Sequence, residues 1–342
     1  VRTVVVDEMR RAIHPVRDAL AFFRLVQELR RLRPAIVHTH SSKAGVLGRL
    51  AARAAGVPII IHTIHGLPFH PYESKLKNAL YIAGERLSAG VSDKILTVCD
   101  VMAEKSLAAG VGHPDLYQTV YSGMEVDTFL GSEGLRRETR REFGFGPDDV
   151  VVGKIARLFH LKGHEFVLEA APQVLAACPN VKFFFVGDGI LRAELARMAE
   201  DLGVADRLVF AGLVDSSEIP RMIHAMDIVV HTSLREGLAR VLVQGLLCRK
   251  PVISYDIDGA REVIVDGRTG RLLPPETVQE LADAIIELAS DVGAAARMGA
   301  EGRRRFAEQF RAETMVRDIH NVYLELIRRK GVRAPTRAAI GT

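Results

Sequence analysis

Short runs of β-branched and apolar residues alternate along the chain with longer segments in which apolar positions recur at helical spacing. Such runs are typical of buried parallel strands, and the segments between them are typical of the helices that cover a parallel sheet. Eight strands are predicted, at residues 35–38, 58–62, 94–98, 150–155, 181–186, 208–211, 228–231 and 251–254. The alternation therefore predicts an α/β protein.

The length of 342 residues is sufficient for two domains of ordinary size. A polar, charge-rich stretch at residues 131–149 contains Gly-Phe-Gly-Pro and is predicted to be a linker. The N-terminal domain is then 1–130 and the C-terminal domain 150–311. Ligands of parallel sheets bind beyond the carboxyl ends of the strands, so we expect substrate to bind in a cleft between the two domains.

The sequence also supports predictions for the N-terminal and C-terminal segments. The chain opens with Val1, and residues 3–6 resemble a strand that already lies inside a fold, with no glycine-rich turn before it. We therefore expect a strand, a helix and a second strand of the first domain to be missing upstream. Residues 312–330 have the apolar spacing of a long amphipathic helix, which we expect to return to the N-terminal domain. Residues 331–342 have little to bury and are predicted to be disordered.

Composition narrows the class of protein. Hydrophobic residues make up 48% and charged residues 26%, which is typical of a soluble globular enzyme. No apolar run approaches the ~18 residues of a spanning helix, and no signal peptide opens the sequence. The cysteines, Cys99, Cys178 and Cys248, are widely separated and odd in number, which predicts unpaired thiols in a reducing cytoplasm.

The net charge of +4 is mild, and the chain has no tryptophan and only 6% aromatic residues with which to stack on bases. We therefore expect no nucleic-acid partner. A phosphorylated substrate or an anionic membrane surface fits the charge as well. Residues 24–33 carry the densest basic run of the first half, on a predicted helix, and a solvated helix face is the simpler interpretation of it.

The most informative segment spans residues 231–253, where a predicted strand ends in a polar turn and a helix is predicted from Leu238 to Leu247. This pattern places Glu236 at a helix N-terminus. The main-chain N–H groups of Gly237, Leu238 and Ala239 would then be available to an anion or a hydroxyl-rich ligand. Gly237 would also allow close approach because it lacks a Cβ.

Gln244 follows Glu236 by eight residues, which is about 12 Å along a helix axis. A nucleotide sugar has about that length between hexose and ribose. The simpler alternative is an ordinary strand, loop and helix with a carboxylate that caps the helix.

Several motifs in the same order resemble one known family. REGLARVLVQGLLCRKPVI is similar to the signature of the retaining glycosyltransferases of family 4, and VGKIARLFHLKGHEFVLEA, FFFVGDGILRAEL and VHTHSSKAGVLGRL resemble its other segments, particularly in the bacterial exopolysaccharide and cell-surface branch. The resemblance implies the GT-B fold, with two Rossmann-like domains facing a cleft. It also implies transfer of a hexose from a nucleoside-diphosphate sugar, with UDP favoured, to a cell-surface polysaccharide or lipid-linked acceptor.

The resemblance assigns roles to the charged residues of the second half. Arg157 and Lys162 would hold the donor diphosphate, whose negative charge grows as the glycosidic bond breaks. Glu236 would bind the sugar hydroxyls, assisted by the amides of residues 237–239. Departure and attack on the same face of the sugar would retain the anomeric configuration without a carboxylate nucleophile.

Two positions depart from the family pattern, and one histidine matches it. Gln244 stands where the family has a second glutamate that binds the ribose, so a neutral amide replaces a charge. Ala239 replaces a glycine. His65, in HTIHG, matches the histidine that the family places near the reacting sugar.

Metal binding has two weak candidates. His38, His40, His62, His65 and His70 are clustered in the sequence, but they lack both HExxH spacing and a paired carboxylate. Asp256-Ile257-Asp258 resembles an acidic metal motif of the other large glycosyltransferase fold, yet it follows a late strand, which favours a solvent-facing loop. We expect neither a metal nor a cofactor.

Other enzyme classes lack their motifs. No GxGxxG of a nicotinamide dehydrogenase and no Walker loop of a nucleotide hydrolase is present. A sugar-nucleotide 2-epimerase remains the nearest alternative, and an inactive nucleotide-binding fragment is the non-enzymatic one. For a transferase, we expect a cytoplasmic protein with peripheral contact to the inner membrane, where a lipid carrier would present the acceptor.

Overall fold

A computed structural model describes residues 3–10 and 12–332. In chain order, the first elements are α1 Pro15–Leu32, β1 Ile36–His40, α2 Ser42–Ala55, β2 Ile59–Ile64, α3 Lys75–Ala89, β3 Lys94–Thr97, α4 Asp100–Ala108 and β4 Tyr117–Thr119. They are followed by α5 Val126–Leu130, α6 Arg136–Glu142, β5 Val150–Ile155, α7 His164–Ala177, β6 Val181–Val186, α8 Arg192–Asp201, β7 Leu208–Gly212 and α9 Ile219–Ala225. The remaining elements are β8 Ile228–His231, α10 Arg240–Leu247, β9 Val252–Tyr255, α11 Ala260–Val263, β10 Gly270–Leu273, α12 Val278–Ser290, α13 Val292–Phe306 and α14 Ala312–Lys330.

The chain divides into two compact units, and the first contains Val1–Tyr121 and Met315–Thr342. Its sheet has the order β1-β2-β3-β4, and every pair of neighbouring strands is parallel. Helix α14 packs on this unit through its apolar face. The core that it completes contains Ile59, Ile61, Leu96, Val120, Val322 and Leu326.

The second unit, Ser122–Thr314, holds a sheet with the order β10-β9-β8-β5-β6-β7, again with parallel neighbours. Helices α7 and α12 pack together against this sheet. Strands β5 and β8 are neighbours at the centre, although 72 residues lie between Ile155, the end of β5, and Ile228, the start of β8. Their carboxyl ends therefore lie side by side, and the loops that follow them can meet.

Residues 131–149, predicted to be a linker, lie inside the second unit, because the division by contacts falls between residues 121 and 122. Helix α6 lies within this stretch. Arg136 and Arg140 from it both contact the carboxylate of Asp227, which also accepts a hydrogen bond from the Val151 N–H at 2.8 Å. These contacts attach the stretch to the start of β5.

The eight strands predicted between residues 35 and 254 are present, but the strand predicted at residues 3–6 is not. Strands β5, β6 and β8 have the predicted bounds, whereas the short strands β4 and β10 were not predicted. Residues 3–6 do not form a strand, so that prediction is wrong; within the described residues, the sheet of the first unit ends at β1 on that side. The predicted disordered tail, 331–342, lies outside the described residues from 333 onward.

The three cysteines are all buried and not disulfide-bonded, as their spacing predicted. Among the helices in the described ranges, not one combines the length and the apolar character needed to cross a bilayer.

Candidate functional site

Two loops meet at the carboxyl edge of the second sheet. One, residues 156–163, follows β5, and the other, residues 232–239, follows β8. The Leu234 N–H donates to the Leu161 carbonyl at 2.9 Å, and the Thr232 hydroxyl donates to the Gly163 carbonyl at 2.5 Å. Side chains on both loops are thereby held close to one another.

Gly163 makes this close approach feasible. Its φ is +67°, and a Cβ at this position would lie 2.0 Å from the Thr232 carbonyl oxygen. No side chain larger than hydrogen fits there without moving one of the loops. Helix α7 begins at the next residue, so the glycine also sets the direction in which the chain leaves the loop.

An ion pair joins the two predicted site residues of these loops. Lys162 Nζ lies 2.5 Å from Glu236 Oε1, and both side chains are only about one-fifth to one-quarter exposed. His231 Nε2 lies 3.5 Å from the same oxygen. Burial raises the pKa of Glu236, but the contacts with His231 and Lys162 outweigh it and lower the pKa to about 2. Burial lowers the pKa of His231, so its imidazole is neutral at pH 7.

A buried lysine supports the same two loops from below. Lys154, on β5, is 1% exposed, and its Nζ donates to Thr232 Oγ1 at 2.8 Å. Burial and the neighbouring Lys162 together lower the pKa of Lys154 to about 7, although the carboxylates of Glu165 and Glu236 act in the opposite direction. This residue was not predicted from the sequence, because a lysine in a strand is expected at the surface unless the strand order is known.

Asp258 fixes the main chain at Glu236. Its Oδ2 accepts a hydrogen bond from the Glu236 N–H at 2.8 Å, and the Gly259 N–H donates to the Gly237 carbonyl at 3.2 Å. The 256–258 triplet lies in a partly exposed loop, as expected, but the Asp258 carboxylate is bonded to the site loop. The signal that could have found it is its position just after β9, the strand next to β8.

The predicted helix start is also wrong. Helix α10 begins at Arg240 with Ala239 as its N-cap, so Glu236 precedes the helix and is not in its first turn. Gly237, Leu238 and Ala239 are buried in the loop. Asp258 accepts from the Glu236 N–H and Gly259 donates to the Gly237 carbonyl, so two main-chain groups of this segment are bonded outside the helix. Because residues 236–239 are not helical, the distance of about 12 Å along an axis between Glu236 and Gln244 does not apply.

Two predicted donor-binding residues lie near this loop pair without joining the ion pair. Arg157 is exposed, and its guanidinium lies over the ring of Phe159, 5.1 Å from the centroid. Gln244 is partly exposed in the second turn of α10. Its main-chain carbonyl accepts the helical hydrogen bond from the Cys248 N–H at 3.1 Å. Both side chains can be reached from solvent.

His65 belongs to the first unit, where it ends a stack of three histidines. Its Nε2 lies 3.0 Å from His40 Nδ1, and His40 stacks on His38 with 4.5 Å between ring centroids. His38 contacts the Tyr323 hydroxyl at 2.6 Å and the Thr63 hydroxyl at 2.7 Å. Burial lowers the pKa of all three histidines, to about 4 for His38, so the stack is neutral at pH 7.

The stack explains part of the histidine cluster without a metal ion. His38 and His40 share one face of β1 because they are two residues apart on a strand. His62 is buried and contacts Thr39 instead, at 2.9 Å. In the part of the chain that the structure describes, no three His, Cys, Asp or Glu side chains are grouped as metal ligands. Metal-independent activity stays a prediction.

Comparison with known proteins decides the family. The model for glycosyl transferases group 1 matches residues 136–305, and the model for the glycosyl transferase 4-like domain matches residues 1–120. A GDP-mannose-dependent α-(1-6)-phosphatidylinositol monomannoside mannosyltransferase of Mycolicibacterium smegmatis is 30% identical over 266 residues, which are 75% of this chain and 68% of the relative. The chain belongs to the GT4-type glycosyltransferases. The transferase class expected from the sequence motifs is therefore confirmed.

The chain is also similar to a curated galactosyltransferase and to a solved structure. The UDP-Gal:α-D-GlcNAc-diphosphoundecaprenol α-1,3-galactosyltransferase of Escherichia coli is 25% identical over 330 residues, covering 96% of this glycosyltransferase and 84% of the relative. The crystal structure of Anabaena Alr3699/HepE in complex with UDP superposes with a TM-score of 0.80 and 25% identity, covering 90% of this chain and 82% of that one. The predicted GT-B fold is confirmed.

Proposed function

We propose that this glycosyltransferase moves a hexose from a UDP-sugar to a lipid-linked acceptor of cell-surface polysaccharide synthesis, with retention at the anomeric carbon. The observation that carries the proposal is the contact between Lys162 and Glu236 at the carboxyl edge of the second sheet. The contact joins a cation, which we assign to the donor diphosphate, to a carboxylate, which we assign to the sugar hydroxyls. The similarity to a UDP-bound structure supports the donor class.

Lys162 and Arg157 are proposed to bind the donor diphosphate. Lys162 has three N–H donors, so it can bind phosphate oxygens while it remains in contact with Glu236. Arg157 is exposed and can turn its planar guanidinium toward a phosphate. Glu236 stays ionised because its pKa is low, and it is proposed to accept hydrogen bonds from the sugar hydroxyls.

Gln244 is proposed to bind the ribose through its amide, and the loop at Gly237, Leu238 and Ala239 to surround the hexose. His65 is proposed to donate or accept one hydrogen bond at the reacting sugar. Its ring has one nitrogen facing His40, which leaves the other, Nδ1, for substrate.

The proposed reaction proceeds on one face of the sugar. The bond between C1 and the β-phosphate oxygen breaks, and the acceptor hydroxyl oxygen forms a new bond to C1 from the same side. The hydroxyl proton passes to the departing phosphate oxygen, and UDP leaves. Lys162 stabilises the charge that develops on the diphosphate.

The acceptor class is inferred from chemistry and similarity. The Escherichia coli relative acts on a sugar attached to diphosphoundecaprenol. We propose an acceptor of that kind, bound to a lipid and presented at the cytoplasmic face of the membrane.

The test is titration calorimetry of the purified chain with UDP and with GDP in EDTA, followed by a transfer assay with a sugar attached to a lipid diphosphate. We expect UDP to bind without metal, and Lys162→Ala to weaken binding at least tenfold. Lys182→Ala is the matched control, because Lys182 lies in the same unit and pairs with Asp149 at 3.0 Å.

Glu236→Gln should reduce kcat strongly while UDP affinity changes little, since it is assigned to the sugar. Equal loss in the Lys182 control, or normal turnover of both site variants, would contradict the assignment. Release of free epimerised sugar without acceptor would favour a 2-epimerase, and preference for GDP would change the donor.

A further inference from the structure

The three stacked histidines of the first unit, His38, His40 and His65, lead from its interior to its surface. His38 is partly buried, whereas His40 and His65 are exposed. In the register of β1 with β2, His40 pairs with Thr63, which precedes His65 by two residues. Side chains two residues apart on a strand share a face, and so do paired residues of neighbouring strands. His38, His40 and Thr63 therefore lie on one face of the sheet, and His65 joins them where β2 ends.

His38 is held in one orientation by hydroxyl groups at both of its ring nitrogens. Its Nδ1 lies 2.6 Å from the hydroxyl of Tyr323 on α14, and its Nε2 lies 2.7 Å from Thr63 Oγ1. The ring of His40 stacks on this anchored ring, with 4.5 Å between centroids and 27° between planes. The stack thereby limits the rotation of His40, although that side chain is exposed.

The contact between His40 and His65 couples the protonation of their two rings. His40 Nδ1 lies 3.0 Å from His65 Nε2. Burial lowers the pKa of both histidines, so each ring carries a single N–H at pH 7. One of the two facing nitrogens must donate and the other must accept. Both rings consequently have the same tautomer, either Nδ1–H or Nε2–H, and this choice decides whether His65 Nδ1 donates to substrate or accepts from it.

The charge that develops in the proposed reaction favours an acceptor at His65 Nδ1. As the bond between C1 and the β-phosphate oxygen breaks, positive charge grows on the sugar and its hydroxyl groups become better donors. A lone pair on Nδ1 then binds a sugar hydroxyl more strongly in the transition state than in the ground state, which lowers the barrier. An N–H at the same place would direct the positive end of its dipole toward the sugar.

We infer that His40 is a positioning residue for sugar transfer, whose Nδ1 accepts the Nε2–H of His65 and so keeps His65 Nδ1 unprotonated as the acceptor for a hydroxyl of the donor hexose. This role rests on the proposed function, in which His65 binds the reacting sugar. His40 acts through His65 and is not assigned a contact with substrate. His38, fixed by Tyr323, keeps the His40 ring in place.

The tautomer of His65 can be measured without substrate, by long-range ¹H–¹⁵N correlation spectra of the full chain labelled with ¹⁵N-histidine. Protonated and unprotonated ring nitrogens resonate at well-separated ¹⁵N frequencies, and the signals that His65→Ala removes are those of His65. We expect the Nε2–H form at His65 in the wild type and a mixture of both tautomers in His40→Leu. The Nδ1–H form in the wild type, or an unchanged His65 spectrum in His40→Leu, would overturn the inference.

Turnover of His40 variants separates positioning from packing. In the transfer assay with a sugar attached to a lipid diphosphate, His40→Leu should lower kcat about tenfold or more. UDP affinity should stay unchanged, because UDP is assigned to the second unit. His40→Asn should restore most of the kcat, since Asn Oδ1 is the same number of bonds from Cβ as His Nδ1 and can accept from His65. His40→Gln, whose Oε1 is one bond farther from Cβ, should not.

His113→Leu is the matched control, because His113 is an exposed histidine of the same unit that follows α4. It should keep the kcat and the His65 tautomer of the wild type. Equal losses of kcat in His40→Asn and His40→Gln, or a loss in His40→Leu that accompanies a lower unfolding temperature, would assign His40 to packing and overturn the inference.

His65→Ala distinguishes this inference from the proposed function. Normal kcat in His65→Ala would contradict the proposed role of His65 at the reacting sugar, and with it the role of His40. A low kcat in His65→Ala together with a normal kcat in His40→Leu would overturn the inference alone. Low kcat in both variants, with no further loss when they are combined, is the expected result for residues that act as one unit.

Discussion

The ionisation of Lys154 is strongly altered by the fold, because the whole side chain is enclosed beneath the site loops. Its pKa falls from the usual 10.5 to about 7. Between these two pH values the unfolded chain holds a proton that the folded chain lacks, so this lysine makes stability rise with pH across that window. Below pH 7 both states are protonated, and its destabilising effect is complete.

Lys154→Met should therefore change the pH dependence of stability. Relative to the variant, the wild type should gain free energy of unfolding between about pH 7 and about pH 10, as measured by urea titration. Lys182→Met, on the neighbouring strand β6 with a side chain that reaches solvent, is the control. Parallel curves for wild type and Lys154→Met would show that Lys154 keeps its ordinary pKa.

A second prediction at the residue scale concerns Gln244 and the affinity for a UDP-sugar. A glutamate at this position would accept two hydrogen bonds from ribose hydroxyls with a full charge, whereas the amide accepts with a neutral oxygen. We expect Gln244→Glu to keep or improve UDP-sugar affinity in calorimetry. A large loss of affinity would show that this enzyme requires the neutral amide.

At the scale of elements, Gly163 is predicted to control the spacing of the two site loops. Gly163→Ala would place a Cβ 2.0 Å from the Thr232 carbonyl, so the loops must separate and UDP affinity should fall more than tenfold. Gly203→Ala is the matched control, since its φ is +68° but nothing lies within 4 Å of the added carbon. The free energy of unfolding of Gly203→Ala should fall by only about 1 kcal/mol, which is the cost of left-handed backbone strain. Equal effects of both variants on UDP binding would show that Gly163 does not control the spacing of the two site loops.

Elements with a strong apolar pattern could be predicted from sequence, and elements fixed by neighbours could not. Strands β5 and β8 each begin with three β-branched residues, at 150–152 and 228–230, and their bounds were predicted correctly. The start of α10 was placed too early because the helical pattern of apolar residues begins at Leu238, while Asp258 and Gly259 bind the main chain of Glu236 and Gly237 outside the helix.

The candidate site shows the same limit. Motif spacing identified Lys162 and Glu236, but their contact across 74 residues depends on β5 and β8 being neighbours. Lys154 and Asp258 were missed because their roles depend on that strand order.

At the scale of the whole molecule, each unit has a hydrophobic core of its own among the residues that the structure describes. One lies in the second unit around the six-stranded sheet, and the other lies in the first unit between its sheet and α14. Separate cores predict two unfolding transitions that respond to different perturbations. UDP should raise only the transition of the second unit, because a ligand stabilises the part that binds it.

Leu326→Ala tests this independence. Leu326 is 1% exposed on α14 in the core of the first unit, so its truncation should cost about 2–5 kcal/mol there. In scanning calorimetry with and without UDP, the variant should shift only the transition that UDP leaves unchanged. Leu324→Ala, on the exposed side of the same helix, is the control and should shift neither. A single transition that moves with both UDP and Leu326→Ala would mean that the two cores unfold as one cooperative unit.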